Sequence, residues 1–478
     1  MPSCRVIKQR LVYFVISSAC FFCGCCRVNT NLQPMVEEIQ QDVLARTGHM
    51  PALPCSDQEE ASVLSIEQIL EQELTVDRAV AVALLNNYHL QATFAGLGIA
   101  QAQLIQAGLL NNPILSASYR YSSQPIITNL IDIALIQNFL DVFLIPLKRQ
   151  MAAFQLEAAK AGVAAQMLDV IAETKIAFYM LQALEQTWSL KKLVLLSAES
   201  SYDAAKRLFE AGNIRDLELT ANRIFYEQTK QELADLEADV LEARERLNVL
   251  MGLWGDRIAW TASTCLPTPF EEKSDWDDSE RLAIANSLDL VIARKNIDAA
   301  ATGFGIDTTR IVFPQIGFGP SSERDEGTWF VGPAIGIGIP IFDWGQAVSA
   351  AARAEILRQW NEYAALAVEI RSAARATRIR LLNARRQVQY DQQVSIPLVE
   401  QLTSLTLLQH NAMQLGVFDL LSAKTAELEK KIRSVQHLRD YWIARTQLES
   451  IVNGYLLKSN GGIPMAPNKG KIAMKRPV

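Results

Sequence analysis

The chain repeats its own landmarks at a nearly constant distance, and this duplication determines which folds are open to it. Asn86 precedes Leu90 by four places, as Asn286 precedes Leu290. The other recurring pairs are Pro113 with Pro314, 139–141 with 341–343, Gly212 with Gly416, and Met251-Gly252 with Asn453-Gly454. Within every pair the positions differ by 200 to 204 residues. Five landmarks in one order at one spacing indicate a tandem duplication, so the two halves should share a fold.

Each copy is predicted to consist of a helix, two short strands, a long helix, a tight turn and a second long helix. Good helix formers dominate 74–107, 147–211 and 214–251 in the first copy, and 279–304, 346–415 and 418–456 in the second. Leu233, Leu236, Val240, Ala243, Leu247 and Leu250 follow the three-four spacing of a coiled-coil seam. A helix over 147–211 would be about 100 Å long, which no globular core accommodates. Segments 214–251 and 279–304 together match that length, so we expect them to stack end to end beside it.

Four short segments between the helices alternate apolar residues with small or polar ones: 114–122, 130–139, 312–319 and 329–339. An apolar face opposite a polar face over about ten residues suits a strand with lipid outside and water inside. A half-buried sheet of a soluble protein has the same periodicity, so both interpretations stay open. Four strands cannot close a barrel, and open edges are not tolerated in lipid. If the strands span a membrane, several chains must pool them.

Composition and motifs exclude several classes of function. The net charge is −6, which gives no reason to expect a nucleic-acid partner. Beyond the N-terminus no run approaches the roughly 20 apolar residues of a spanning helix. His49, His89, His410 and His437 are scattered without metal-ligand spacing, so neither a metal site nor a cofactor is predicted. HExxH, GxSxG and P-loop motifs are missing from the sequence, which argues against an enzyme.

The first 25 residues are predicted to be an export signal. Arg5, Lys8 and Arg10 precede the apolar run 11–16 and a cysteine-rich stretch. Gly24-Cys25 fits the end of a bacterial lipobox, which makes Cys25 the candidate for lipidation. Cys20, after Ala19, is the alternative, and a signal cleaved without lipid is the other interpretation.

The remaining segments are assigned by their position around the repeats. Residues 26–73 form an N-terminal periplasmic extension, 74–252 the first repeat, 253–278 a linker and 279–456 the second repeat. Cys55 and Cys265 could form a disulfide in an oxidising compartment or remain thiols. The acidic residues of the linker are interpreted as solvated surface. The tail 457–478, rich in Gly, Pro and Lys, is predicted to be disordered.

With these features in place, the chain from 74 to 454 resembles the TolC-like outer-membrane efflux proteins. The resemblance lies in LTVDRAVAVA at 74–83, FDWGQA at 342–347, and the turns at 210–217 and 414–420. It implies a mainly α protein with a small β part. Three chains would give four strands each to a twelve-stranded outer-membrane barrel, continued by a periplasmic α-helical coiled-coil barrel.

The same resemblance implies a function and partners. The homotrimer would be the exit duct of a tripartite efflux pump, working with a periplasmic adaptor (membrane fusion) protein and an inner-membrane pump of the resistance-nodulation-division type. The segment 242–255 is similar to members associated with the efflux of metals such as copper; drugs are the other cargo class. The alternatives are an exit duct for type I protein secretion and a periplasmic coiled-coil scaffold that forms no channel.

By position, the resemblance places adaptor docking at the two turns. The residues concerned are Gly212, Asn213, Asp216, Gly416, Val417 and Asp419. Glycine can also serve simply to reverse a helix, and aspartate to cap the next one, so the structural interpretation stays open beside the docking one. Charged residues nearby are candidates for a latch that keeps the tip closed: Arg207, Glu210, Arg215 and Asp216. Ordinary surface charge is the alternative for each of them.

Overall fold

The computed structural model describes residues 32–48, 66–121, 130–269, 276–312, 316–325 and 328–457. The signal segment with Cys20 and Cys25, Cys55, and almost all of the tail lie outside the described residues. The helices are α1 Gln33–Thr47, α2 Val76–Asn86, α3 Tyr88–Ala107, α4 Leu140–Glu210, α5 Asp216–Met251, α6 Ser279–Asn286, α7 Leu288–Val312, α8 Gln346–Tyr390, α9 Ile396–Asn411 and α10 Val417–Val452. The strands are β1 Ile114–Arg120, β2 Leu130–Asn138, β3 Ile316–Asp325 and β4 Thr328–Ile337.

The long helix of the first copy is longer than predicted. Helix α4 has 71 residues, which at 1.5 Å per residue makes it about 105 Å long. The sequence prediction began at residue 147, just after a proline, a residue that disfavours a helix interior. The helix in fact starts at Leu140 and carries Pro146 within its second turn.

Three of the other predicted helices are interrupted. Asn87 separates α2 from α3 in an extended conformation, and its side chain accepts a hydrogen bond from the Leu90 amide. Ser287 separates α6 from α7, and its hydroxyl accepts from the Leu290 amide at 3.2 Å. In the second copy, the π-helical turn Asp391–Ser395 separates α8 from α9. The first two breaks are 200 residues apart, so the duplication extends to the helix joints.

Helix α4 is the centre of the helical body because it packs against both repeats. Nearer the sheet, the lateral order of packed helices is α3, α4, α7 and α8. Nearer the turns, it is α5, α4, α10 and then the α8–α9 helix. Helices α3 and α5 therefore form one edge of the subunit, and α8 and α9 form the other. Helix α1, from the N-terminal extension, packs on α4.

The predicted end-to-end stacking of 214–251 on 279–304 is wrong. The C-terminal end of α5 meets the start of α3 instead, where the Asn86 side-chain amide donates to the carbonyls of Met251 and Gly252 at 3.0 and 2.8 Å. In the second copy, α10 meets α7, and the Leu288 amide donates to the Gly454 carbonyl at 2.8 Å. Helix α7 does lie beside α4, as expected, but it continues α10 rather than α5.

The four strands form one antiparallel sheet in the order β1-β2-β3-β4. Three strands lie within two residues of their predicted ends. The third prediction, 312–319, is wrong at both ends because Val312 closes α7 and the strand continues to Asp325. Its second half, Pro320 to Asp325, lacks the apolar alternation on which the prediction depended.

The acidic residues at the end of the linker are exposed, as expected, but they are also paired. Asp277 forms an ion pair with Arg378 on α8. Glu280, at the start of α6, pairs with Arg375 at 3.2 Å. These contacts attach the end of the linker to α8. Glu271, Glu272 and Asp275 lie outside the described residues.

Candidate functional site

The turn of the first hairpin, between α4 and α5, is a glycine-based helix stop. Gly212 has φ +73°, in the left-handed region, and the Asn213 amide donates to the Leu208 carbonyl at 2.8 Å. This is the Schellman arrangement, in which a left-handed residue lets the chain leave the helix with its last carbonyls satisfied. Gly212 and Asn213 are therefore explained by the turn itself.

The turn of the second hairpin, between α9 and α10, has the same geometry in a different register from the one predicted. Met413, not Gly416, occupies the left-handed position, with φ +58°, and the Gln414 amide donates to the Gln409 carbonyl at 2.9 Å. Met413 thus corresponds to Gly212 at an offset of 201. Gly416 has φ −75° and is the N-cap of α10. Pairing Gly212 with Gly416 by residue type was wrong.

The aspartates at the two turns have different roles. The Asp419 carboxylate accepts a hydrogen bond from the Gly416 amide at 3.0 Å, so it caps the return helix as predicted. Asp216 does not, because it is the first residue of α5 and the N-cap is Arg215, without a side-chain cap bond. At an offset of 201, Val417 corresponds to Asp216 and Asp419 to Glu218.

The latch candidates lie on the surface of the subunit. Arg215 approaches Glu218 at 3.9 Å, and both side chains are largely exposed. Within the described part of the chain, neither Arg207 nor Glu210 forms an ion pair. A contact that closes the tip would therefore need a second molecule.

The second hairpin contains buried charges that sequence reasoning missed. The Glu427 carboxylate, 5% exposed, pairs with Lys424 at 2.9 Å and with Lys431 at 2.8 Å, and Lys431 also reaches Glu400 on α9 at 2.9 Å. Burial alone would raise the pKa of Glu427, but hydrogen bonds from Lys431, Lys424 and Thr403 outweigh it and lower that pKa to about 2. Glu427 is therefore ionised in the folded hairpin at neutral pH.

A second buried carboxylate lies at the π-helical turn. Asp391 is 2% exposed and pairs with Lys430 at 2.9 Å and with the His437 Nδ1 atom at 2.6 Å. Burial opposes ionisation, but the bonds from Lys430 and His437 hold the pKa of Asp391 below its ordinary value. Single-turn π-helices are rare and recur at functional sites. This cluster joins the bend between α8 and α9 to α10.

The first hairpin has no such charges at the equivalent positions. Residues 201 places before Asp391, Lys430 and His437 are Leu190, Thr229 and Leu236. In place of Thr403 and Glu427 stand Tyr202 and Tyr226, whose rings stack with their centroids 5.9 Å apart. At these positions the first hairpin thus holds an aromatic stack, and the second holds buried ions.

The sheet has the two faces that the alternation predicts. The register places Tyr119, Ile131, Arg324 and Trp329 in one row across the four strands, and Ala117, Ile133, Ser322 and Val331 in the next. The opposite face carries mostly small and polar residues, and one of its rows runs from Ser118 through Asp132 and Glu323 to the exposed Phe330. On that face Asp132 pairs with Arg120 at 3.2 Å. The sheet therefore has one mainly apolar face, interrupted on β3 by Ser322 and Arg324, and one mainly polar face.

The remaining predicted sites concern cysteines and metals. Cys265 is exposed with a free thiol, and its predicted partner Cys55 lies outside the described residues, so the bridge stays a prediction. No group of three or more potential metal ligands occurs among the residues that the structure describes. No helix in the described ranges is both long and apolar enough to cross a membrane.

Comparison with known proteins identifies the fold. Residues 79–253 match the family described as Outer membrane efflux protein. Over 389 residues the chain is 22% identical to the cobalt-zinc-cadmium resistance protein CzcC of Cupriavidus metallidurans, covering 79% of this chain and 90% of that protein.

Among solved structures, the CmeC outer membrane channel of Campylobacter jejuni has a TM-score of 0.67 at 15% identity, covering 80% of this chain and 86% of that one. The outer-membrane channel OprN has a TM-score of 0.66 at 18% identity, covering 81% and 92%. The shared fold is that of outer membrane channels. Residues 79–253 thus match the outer membrane efflux family, and the chain shares the fold of TolC-like outer membrane channels.

Proposed function

We propose that three copies of this chain form the outer-membrane exit duct of a tripartite efflux pump, which conducts its cargo passively to the exterior. The observation that carries the proposal is the distribution of exposed apolar side chains over the helical body. On one edge, α5 exposes Leu217, Ile224, Phe225, Leu241 and Val249. On the other, α8 and α9 expose Leu357, Trp360, Val368, Ile379, Tyr390, Leu398, Leu402, Leu405, Leu407 and Leu408. Helix α10, which has neighbours on both sides, exposes no large apolar residue.

The sheet supports closure by further copies. Strands β1 and β4 are the two ends of the described sheet, and both are exposed along most of their length. An apolar face belongs in lipid, but an open strand edge there would leave backbone groups without hydrogen bonds. If β1 of one copy pairs with β4 of the next, the apolar face can lie in lipid while the backbone groups of both edge strands are hydrogen-bonded. Three copies give the twelve strands that the family resemblance implies.

The two turns are the proposed docking site for the adaptor. Each projects an apolar side chain into solvent: Leu217 is 76% exposed beside the first turn and Met413 is 94% exposed in the second. Exposed apolar residues at the end of a long hairpin suit contact with another protein. In the proposal, the turns meet a periplasmic adaptor coupled to an inner-membrane pump of the resistance-nodulation-division type. The latch formed by Arg207, Glu210, Arg215 and Asp216 would act between copies at this tip.

Divalent metal ions are the proposed cargo. The support is the similarity to CzcC, a cobalt-zinc-cadmium resistance protein that aligns with 79% of this chain, together with the resemblance of the segment 242–255 to metal-efflux members of the family. The duct itself needs no metal site, because selectivity would lie in the inner pump. Export through the signal 1–25, with lipid on Cys25 or Cys20, completes the proposal.

Deletion of the gene tests the cargo. We expect the strain to lose growth at raised cobalt, zinc, cadmium or copper while tolerating dyes and detergents as the parent does. Complementation with the full chain should restore growth. Sensitivity to the dyes and detergents alone would identify the protein as a drug duct. Unchanged growth with loss of a secreted protein would favour type I secretion. A chain that fractionates away from the outer membrane would favour the scaffold.

A further inference from the structure

The two helical edges that meet in the proposed ring carry opposite charge, and the inference from this rests on that ring. Helix α5 contains nine acidic and four basic residues, a net charge of −5. Helix α8 contains eight arginines and three glutamates, a net charge of +5, and Arg358, Arg375 and Arg378 among them pair with acidic residues of the same subunit. Both helices lie at edges of the subunit, on opposite sides of α4 and α10.

The acidic residues of α5 include several on the face turned away from its own subunit. Thr229 and Leu247 mark the side buried against α4. At 3.6 residues per turn, the opposite side carries Asp235, Leu241, Glu242 and Glu245, all of them exposed. Within the described part of the chain, Asp235 and Glu242 have no partner.

The free face of α8 has the complementary character. Leu381, Ala384 and Val388 are buried against α10. The opposite side carries Ile379, Arg386 and Tyr390, so an arginine lies between two exposed apolar side chains. Arg386 forms no ion pair with any residue in the described ranges. Arg385, one place earlier, lies on a different side of the helix.

Charged and apolar patches follow the same order along both edges. Glu242 lies about 45 Å above Gly212 along α5, and Arg386 lies about 40 Å above Met413 along α8 and α9. Nearer the turns, both edges are apolar. The residues there are Leu217, Ile224 and Phe225 on one edge and Leu398, Leu402, Leu405 and Leu408 on the other. If two copies lie side by side with their turns at the same end, the apolar patch of one edge therefore faces the apolar patch of the other. The acidic residues of α5 then face the basic residues of α8.

We propose that the acidic edge of α5 in one subunit docks on the basic edge of α8 in the next copy, with Asp235 and Glu242 facing Arg386. The apolar patches supply most of the affinity. The charges select the head-to-tail pairing, because like edges of two copies would repel each other. Salt screens exposed charges, so the seam weakens as ionic strength rises.

Charge reversal tests the seam on the full-length, detergent-solubilised chain. The variants are Arg386→Glu, Glu242→Lys with Asp235→Lys, and their combination. We expect each one-sided reversal to lower the fraction of trimer, by about tenfold in the dissociation constant. The combined variant should restore it. Matched controls are Arg385→Glu and Glu237→Lys, which change the same charges on other faces of the same helices and should leave assembly unchanged. Sedimentation or native mass spectrometry across a salt series gives the readout.

A crosslinking experiment separates failure of the seam from failure of the ring. Glu242→Cys combined with Arg386→Cys should crosslink between chains in membranes, whereas each single cysteine variant should not. A trimer in which these two cysteines do not crosslink would overturn the seam and leave the ring intact. The proposed role of the charges would be overturned if the charge reversals had no effect, if the control variants weakened assembly as much as the edge variants, or if the combined variant assembled no better than each reversal alone. A wild-type chain that stays monomeric, with no crosslink in the double-cysteine variant, would overturn the ring itself.

Discussion

The side chain of Asn86 donates a hydrogen bond to the carbonyl of Gly252 at 2.8 Å, where α5 ends against the start of α3. Gly252 has φ +65°, and a Cβ there would fall well inside van der Waals contact with the Asn86 carbonyl oxygen. Gly454 stands in the same relation to Asn286, with φ +109°. Both joints therefore require glycine for two independent reasons, the backbone conformation and the close approach of a carbonyl.

Substituting Gly252 by alanine should destabilise the chain by about 2–4 kcal/mol, since the left-handed conformation costs about 1–2 kcal/mol and the clash adds to it. Gly212→Ala is the matched control, because Gly212 has φ +73° with nothing near its Cβ position. It should cost only the conformational part. Denaturant unfolding of both variants gives the comparison, and equal losses would show that the carbonyl contact is unimportant.

Replacing Arg46 by glutamine should loosen the second joint. The Arg46 guanidinium donates to the carbonyls of Asn286 and Asn453, each at 2.8 Å, from a helix outside both repeats. Losing the two bonds should cost about 1–3 kcal/mol. Hydrogen exchange should rise around 286–290 and 450–455, but not at the first joint around 86–90. Arg281→Gln, which removes only an exposed pair with Asp278, should leave exchange unchanged.

The second hairpin should lose stability in acid through Glu427. Its folded pKa, about 2, lies below the ordinary value of 4.5, so its contribution is full above the unfolded pKa and is lost as pH falls from about 5 towards 2. Glu427→Gln should be less stable at pH 7 and show a smaller further loss in this window. Glu429→Gln, an exposed neighbour, serves as control. The prediction would be contradicted if the free energy of unfolding fell equally with pH in the wild type and in Glu427→Gln.

The buried cluster at the π-helical turn should be replaceable by the residues of the other repeat. Asp391→Leu alone leaves Lys430 and His437, both about a quarter exposed, without their anion and should cost about 1–3 kcal/mol. Adding Lys430→Thr and His437→Leu reproduces Leu190, Thr229 and Leu236 of the first copy. Because apolar replacement of a buried ion cluster is often neutral, the triple variant should unfold within about 1 kcal/mol of the wild type. A triple variant as unstable as Asp391→Leu would show that the ions are needed for folding.

Met413→Gly should separate stability from docking. A non-glycine residue at positive φ costs about 1 kcal/mol, so the substitution should stabilise the second turn by that amount. It also removes the exposed side chain proposed to contact the adaptor. We expect a higher unfolding midpoint with weaker binding of the purified adaptor. Unchanged adaptor binding would remove Met413 from the proposed docking site.

Local sequence patterns predicted the helices and strands well. They did not predict the left-handed turn position, which depends on backbone conformation, or the buried carboxylates, which depend on tertiary packing. Alternation identified the strand faces, and helix formers with three-four spacing identified the long helices. Gly212 was paired with Gly416 because residue type was the only landmark. The left-handed position in fact belongs to Met413, which no sequence pattern marks. Asp391 and Glu427 were missed because a charged residue on a helix shows nothing of which side is buried.

The packing of α4 against α7 and α10 has a consequence for the origin of the duplication. The long helix of the first repeat finds much of its buried surface in the second, so one repeat alone would leave that surface in water. A half-length ancestor would have had to borrow it from another copy of itself. A ring of the proposed size would then have contained six half-length subunits in place of the three present chains. Fusion then freed each half to diverge, and the two hairpins now differ, one with an aromatic stack and the other with buried ions.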